Sequence, residues 1–413
     1  MKFKGLLVVV IFLLALFVRF YNFGERITFG PEQAISLITS GRMITEKFSL
    51  LGVENVQRVT STGHRIFSGV VFSYSLIPLQ ILFKFDPLPI TAYFSLVNIL
   101  TGLALYFLSR KMFKEKVALF ATVLFLFSSQ MIYHSLFIWI LNYLPLVGLL
   151  TFYFLFKLRK DQKKLYPFVL GILSGLGLSF EYLYFFTGLI VLLIVLYYSK
   201  KKWLSFALFT IGGVLPNLPT IVFDIRHGYY HAFTLWQYLL DVVNGVNSSS
   251  LSYYHFLQFW PLMAIAGGIL LIRLYQRQKF LAIFFVSLFL YLNLKSSFIS
   301  FNTPTGMPRE LTLANIYSAA RIIKEDSPKD FNVAVLVDFD TRGHILRYPL
   351  EFKYGIKPLG VIDYPISQSL YVLAEKGYNF EEPGVWELTS FSPYKTKKLE
   401  SISSNYSIFK LTK

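Results

Sequence analysis

Residues 66–83 read IFSGVVFSYSLIPLQILF, an apolar stretch interrupted by Ser68, Gly69, Ser73, Ser75, Pro78 and Gln80. Whether this stretch crosses a bilayer decides the side on which everything after it lies. Apolar runs long enough to span, or nearly so, occur at about 5–22, 89–109, 117–134, 136–157, 166–184, 185–199, 203–223, 257–273 and 279–294, nine candidates without 66–83. Basic clusters at 110–116, 159–164, 200–202 and 273–279 are each separated from the next by two such runs. All four therefore share one side, which the positive-inside rule makes cytoplasmic. Lys2 and Lys4 belong there too, so an even number of crossings separates Lys4 from Arg110. Runs 5–22 and 89–109 already supply two, and 66–83 is expected to be an interfacial or re-entrant helix on the outer side.

Composition agrees with a bilayer as the main solvent. The 413 residues are 54% hydrophobic and 15% charged, with 43 Phe and 27 Tyr to fill apolar volume and interfacial belts. Mean hydropathy is +0.53. The net charge of +17 comes from Lys and Arg in short clusters between apolar runs, which reads as topology rather than as a nucleic-acid face. Absence of Cys excludes disulfides, thiolate chemistry and Cys-ligated metal. The six His show no metal-ligand spacing and no glycine loop for nucleotide phosphates is present, so neither a metal nor a cofactor is expected. Met-Lys-Phe-Lys before a long apolar run resembles a signal peptide, but no small-residue cleavage site precedes Arg19, which favours an uncleaved first helix.

Parity then places three segments outside: 23–88, 224–256 and everything after about 295. The last changes character, with an amphipathic helix near 310–325 and β-like runs at 332–339, 359–364, 370–374, 386–391 and 406–411. The expected fold class is an α-helical polytopic membrane protein, with about nine transmembrane helices plus interfacial helices over 1–294. A small extracytoplasmic α/β domain is expected over 295–413, and the cell membrane, plasma or inner, is the expected location, with a cytoplasmic N-terminus. The stretch 244–252 reads as a loop tip, and its Asn247-Ser248-Ser249 sequon carries no weight without a secretory route.

Chemistry should therefore lie in the outer segments. Glu32 follows Pro31 at a helix start, with Ala34, Ile35, Leu37 and Ile38 spaced for a short surface helix, so its carboxylate is fixed near the bilayer boundary. The plain alternative is an acid complementing a helix dipole, worth about 0.3 to 1 kcal/mol. Phe223-Asp224-Ile225-Arg226-His227-Gly228 leaves the membrane at the end of a span. Arg226 and His227 there suit a phosphate at headgroup depth, oriented by Asp224, or else an interfacial anchor. Glu181 inside an apolar stretch must face a cavity or a partner. His134 and Asn142 at an outer turn, and His64 and Arg65 in Ser61-Thr62-Gly63-His64-Arg65, are further candidate substrate contacts.

These residues together resemble the GT-C superfamily of lipid-linked-sugar glycosyltransferases. The similarity is to the bacterial branch related to dolichyl-phosphate-mannose protein mannosyltransferases and lipid A aminoarabinose transferases. It rests on Phe29-Gly30-Pro31-Glu32-Gln33-Ala34 after the first run, the Ser/Gly segment 61–74, the outer-turn segment 138–145 and the span-ending 219–228. It covers about residues 5–294, with seven runs before the loop at 224–256. The resemblance implies inverting transfer of a sugar from a polyprenyl-phosphate donor, with no nucleotide, to a glycan, lipid or protein acceptor at the outer membrane–water interface. Glu32 would be the base. Arg226 and His227 would stabilise the departing phosphate, with Arg58 or Arg65 as alternates. That scheme requires Glu32 and Arg226 to share one pocket. Two departures stand out: Pro31 precedes Glu32 where the family usually has an Asp-Glu or Asp-Gln pair, and no second acid occurs over 131–142. Either Glu32 works with help from Glu54 or Glu181, or the chain is an inactive envelope-binding member of the fold. A lipid-linked glycan flippase is the reading from another class, and it needs polar residues along several spans, of which Glu181 is the one charged mid-chain candidate.

Overall fold

The computed structural model describes residues 2–247, 251–326 and 328–413, without the side chains of 2–4 and 56–58. The sequon's Ser248 and Ser249 therefore lie outside the described residues. Helix α1 (Lys2–Phe20) carries the first apolar run. Near its end Arg19 is fully buried, its Nη2 donating to Asn98 Oδ1 at 2.7 Å and to the Leu126 carbonyl at 3.0 Å. A guanidinium taken out of water persists only where such acceptors satisfy it. A short α2 (Phe23–Arg26) leads to α3 (Pro31–Thr45). Pro31 opens α3, and the Gln33 side chain reaches back to accept from the Gly30 N–H at 2.9 Å, half of a capping box.

The stretch 66–83 divides into two elements. It begins in an antiparallel hairpin of β1 (Glu54–Val59) and β2 (Arg65–Phe67), then becomes α4 (Val71–Leu82). Twelve residues of helix extend about 18 Å, well short of a hydrocarbon core of about 30 Å. The far end of α4 returns to the same face as its start. Gln80 Nε2 donates to the Leu37 carbonyl of α3 at 3.1 Å, and Tyr348 Oη donates to the Phe85 carbonyl at 2.8 Å.

The bundle continues through α5 (Pro87–Met112), α6 (Glu115–Leu126), α7 (Ser129–His134), α8 (Leu144–Asp161), α9 (Leu165–Phe180), α10 (Tyr184–Tyr198), α11 (Lys202–Val214), α12 (Leu218–Arg226), α13 (Tyr230–Val243), α14 (Trp260–Arg277) and α15 (Lys279–Leu294). Among the described residues four helical stretches are long and apolar enough to cross a membrane: Pro87–Met112, Ile140–Asp161, Lys202–Arg226 and Tyr253–Arg277. Runs 5–22, 166–184, 185–199 and 279–294 form shorter apolar helices, and 117–134 is a corrected case. There α6 stops at Leu126, the chain extends at Ser128, and α7 starts a separate six-residue helix. Close approach of α9 and α11 depends on glycine. A Cβ on Gly171 would stand 2.1 Å from the Phe209 carbonyl oxygen, and one on Gly212 would stand 2.3 Å from that of Phe168.

The three segments assigned outside meet at one end of this bundle. Asp241 of α13 accepts from the N–H and hydroxyl of Ser61, both at 2.7 Å. Arg42 of α3 forms a two-bond pair with Glu351 at 2.9 and 2.7 Å. After α16 (Leu313–Glu325) the C-terminal unit contains β3 (Phe331–Val335), α17 (His344–Phe352), β4 (Ser369–Glu375), a short α18 (Trp386–Thr389), β5 (Lys395–Ser401) and β6 (Tyr406–Thr412). The sheet order is β3-β4-β6-β5, with β3 and β4 parallel and the other pairs antiparallel. Two expected strands fail: 359–364 forms turns and 386–391 holds α18. Within this sheet one strand was not expected, β5, whose Lys395, Lys397 and Lys398 mark its exposed edge.

Candidate active site

At the seam between the bundle and the C-terminal unit lies a cavity of about 420 Å³. The first two turns of α3 contribute Glu32 and Ser36 to it, β1 contributes Glu54, and α4 contributes Phe72. Trp139 and Ile140 enter from the turn before α8, and the opposite wall is the loop 339–342 after β3. Local chemistry fixes each piece. Pro31 and the Gly30–Gln33 bond start α3, so Glu32 sits where the helix dipole favours a carboxylate. Asn142 Nδ2 donates to the Phe137 carbonyl at 2.7 Å and holds the turn that presents Trp139. The buried His134 ring stacks on Trp139 at 5.4 Å between centroids, with an interplanar angle of 6°.

Two of the lining acids are compensated from outside the cavity. Glu54 pairs with Arg65 at 2.8 Å. Asp340 pairs with His344 Nδ1 at 2.7 Å and also accepts the His344 N–H at 3.0 Å. Burial alone would raise the Asp340 pKa, but the bonds from His344 outweigh it and hold the carboxyl below its ordinary value. Asp338, two residues earlier, shows the reverse balance. Burial pushes its pKa up to about 7, against the opposing bond from the Asp340 N–H, and its Oδ2 is buried with no hydrogen-bond partner among the described residues.

A second cavity, about 520 Å³ and mostly apolar, opens between α9, α10 and α11 and reaches Tyr182, Asp224 and His231. Ser68 lines the first cavity and its neighbour Gly69 lines the second, so one backbone segment separates them. That segment is pinned at Phe67, whose carbonyl accepts from the Tyr182 hydroxyl and lies 3.0 Å from His231 Nε2.

The expected site residues separate accordingly. Glu32 faces the first cavity, with Glu54 beside it and Arg65 tied to Glu54. His134 and Asn142 lie buried behind Trp139. His64 is at the hairpin turn, its Nδ1 2.8 Å from the Thr62 hydroxyl and its ring edge-on to Tyr230. Arg58 belongs to β1, and its side chain lies outside the described residues. Glu181 has a partner within the protein, His255 Nδ1 at 2.8 Å, and also accepts the Leu183 N–H at 3.2 Å. The expected meeting of Arg226 with Glu32 is not what the structure places there. Arg226 and His227 are exposed at the end of α12 and do not line the Glu32 cavity. Both Asp224 oxygens are engaged by the N–H groups of His231 and Ala232, at 2.7 and 3.1 Å, so Asp224 caps α13 rather than orienting Arg226. His227 stacks on Phe223 at 4.1 Å. Residues 339–342 were missed because the run 332–339 reads as one long strand. The available signal was Asp338-Phe339-Asp340-Thr341-Arg342, a charged loop at the carboxyl end of β3, where parallel strands commonly present ligand contacts.

Residues 70–221 match the family described as dolichyl-phosphate-mannose-protein mannosyltransferase. A comparison with curated proteins gave no match. The fold is similar to that of ArnT from Cupriavidus metallidurans in the apo state, with TM-score 0.66 and 12% identity over 100% of this chain and 98% of that one. It is also similar to ArnT from the same organism bound to undecaprenyl phosphate, with TM-score 0.64 and 12% identity over 98% and 97%. With its apolar helical bundle and small C-terminal sheet, the chain has a fold similar to that of ArnT, and part of the bundle matches the mannosyltransferase family.

Proposed function

We propose that the protein is a glycosyltransferase that moves a sugar from a polyprenyl-phosphate-linked donor to an envelope acceptor at the outer membrane–water interface. The observation that carries this reading is Glu32, fixed in the first turn of α3 and facing a cavity between an apolar bundle and a water-facing α/β unit. The Glu32 carboxylate takes the proton from an acceptor hydroxyl, and the resulting oxygen attacks the anomeric carbon. The bond from that carbon to the donor phosphate breaks, its electron pair leaves with the polyprenyl phosphate, and the configuration at the carbon inverts. Trp139 and Phe72 offer apolar faces to a sugar ring.

The apolar second cavity suits the isoprenoid tail, because it opens among spanning helices and meets the first cavity across Ser68 and Gly69. The ArnT structure holding undecaprenyl phosphate on a similar fold supports this donor class. Arg226 and His227, exposed beside the membrane-exit point, are read as contacts to lipid headgroup phosphates. In this reading residues 1–294 are the transferase domain and 295–413 an extracytoplasmic domain. The N-terminus lies in the cytoplasm, and neither a metal nor a nucleotide takes part. The test is transfer from a synthetic polyprenyl-phosphate sugar by Glu32→Gln. A fall in kcat of about 10²- to 10⁴-fold with donor binding retained supports the reading. Unchanged turnover removes Glu32 from the mechanism.

A further inference from the structure

The departing phosphate, or an acidic acceptor, needs a cation within the Glu32 cavity, and Arg65, Arg226 and His227 do not line it. The charged lining residues are Glu32, Glu54, Asp340 and Arg342, so Arg342 is the cation there among the described residues. Glu54 is already met by Arg65, and Asp340 by His344. Among the described residues no hydrogen bond or ion pair engages the Arg342 guanidinium, although its charge acts on the nearby Asp340 carboxylate. Its backbone, by contrast, is held firmly. The Arg342 carbonyl accepts from Arg347 Nε at 2.7 Å and from the Tyr364 hydroxyl at 3.4 Å, and Gly343 then turns the chain into α17 with φ +70°. One residue before Arg342, the Val335 N–H donates to the Thr341 carbonyl at 3.2 Å. A fixed backbone carrying into a cavity a planar fork that no described residue hydrogen-bonds is a preorganised receptor for paired anionic oxygens.

We propose that Arg342, carried by the C-terminal α/β unit, receives the phosphoryl group of the substrate at the Glu32 cavity, so that the site is complete only with that unit docked. The docking contacts are specific. Arg42 grips Glu351, Lys357 pairs with Glu46, and Tyr348 reaches Phe85 and Gln80 of the first outer segment. All of them lie in or directly after α17, the helix that the Arg342 loop opens. The proposal rests on the transfer reading for the identity of the substrate but not for the existence of an anion site. Two sources would present the same chemistry: the polyprenyl phosphate of the donor, and a water-soluble phosphorylated sugar arriving as acceptor.

The experiment uses the full chain in phosphatidylcholine nanodiscs, titrated separately with undecaprenyl phosphate and with mannose 1-phosphate, and read by quenching of the cavity-lining Trp139. Arg342→Gln is expected to weaken binding by about 10- to 100-fold, and Arg342→Lys by about threefold to tenfold because it keeps the charge and loses the fork. Loss confined to undecaprenyl phosphate assigns the donor phosphate to Arg342, whereas loss confined to mannose 1-phosphate assigns a soluble phosphorylated acceptor. Unchanged affinity for both ligands in Arg342→Gln overturns the proposal. Thermal melts accompany each variant, and if Arg342→Gln melts early, Arg342→Met in the same assay decides by the same criterion. Glu32→Gln is titrated alongside: full turnover with intact Arg342-dependent binding would remove the transfer reading and leave the anion site standing.

Discussion

Glu32 and Asp224 are both acids beside a helix terminus, and they have opposite fates. Asp224 spends both oxygens on the first N–H groups of α13, an assignment settled within eight residues of chain. Glu32 opens α3 and faces a cavity whose far wall comes from residues about 300 positions later. Position at a helix end does not distinguish a cap from a candidate base. What distinguishes them is where the side chain points: both Asp224 oxygens turn to N–H groups of its own chain segment, whereas Glu32 lines a cavity walled by a distant element.

The comparison breaks most directly by mutation. Glu32→Gln should lower kcat by about 10²- to 10⁴-fold in a transfer assay while the melting temperature stays near that of the parent. Asp224→Ala should do the reverse, leaving turnover within a few-fold and costing roughly 1 to 3 kcal/mol of stability in a melt, because two N–H groups lose a charged acceptor. An Asp224→Ala enzyme that melts normally and has lost turnover would erase the distinction.

Smaller effects sharpen it. Arg42→Ala leaves the largely buried Glu351 carboxylate without its bidentate partner, which should cost about 1 to 2 kcal/mol and raise proteolytic release of the C-terminal unit. Asp338 supplies a pH test on that unit. Its folded pKa of about 7 lies above the unfolded value, so the native state holds the extra proton between about pH 4 and 7. Its stability contribution is complete below about pH 4 and is lost as pH rises towards 7. Asp338→Asn should flatten that part of the stability profile and gain relative to the parent at pH 8. Arg65→Ala, which breaks a largely exposed pair with Glu54, should cost only about 0.2 to 1 kcal/mol.

Much of the architecture was readable because it is set by local or periodic signals. Charge parity argued against 66–83 as a span, and α4 is too short to cross. Pro31 marked the start of α3 and with it the position of Glu32. The helix 310–325 was readable from its amphipathic spacing, and the structure has it at Leu313–Glu325. Other features depended on tertiary partners that spacing does not encode. The break at Ser128 has no Pro or Gly to announce it, and β5 is polar because it is an edge. The partner of Glu181 lies 74 residues away in His255. Arg342 could be recognised as a site residue only once α17 was seen docked on α3 by Arg42 and Glu351. The acid of the candidate site was thus visible in a short motif, whereas its cation came from another part of the chain.

The most direct measurement is a cryo-electron microscopy map of the full chain in nanodiscs with a non-hydrolysable polyprenyl-phosphate sugar. The account predicts density for the isoprenoid tail among α9, α10 and α11, with the sugar across Ser68 and Gly69 in front of Glu32. Sugar density beside Arg226 with the Glu32 cavity vacant would contradict it.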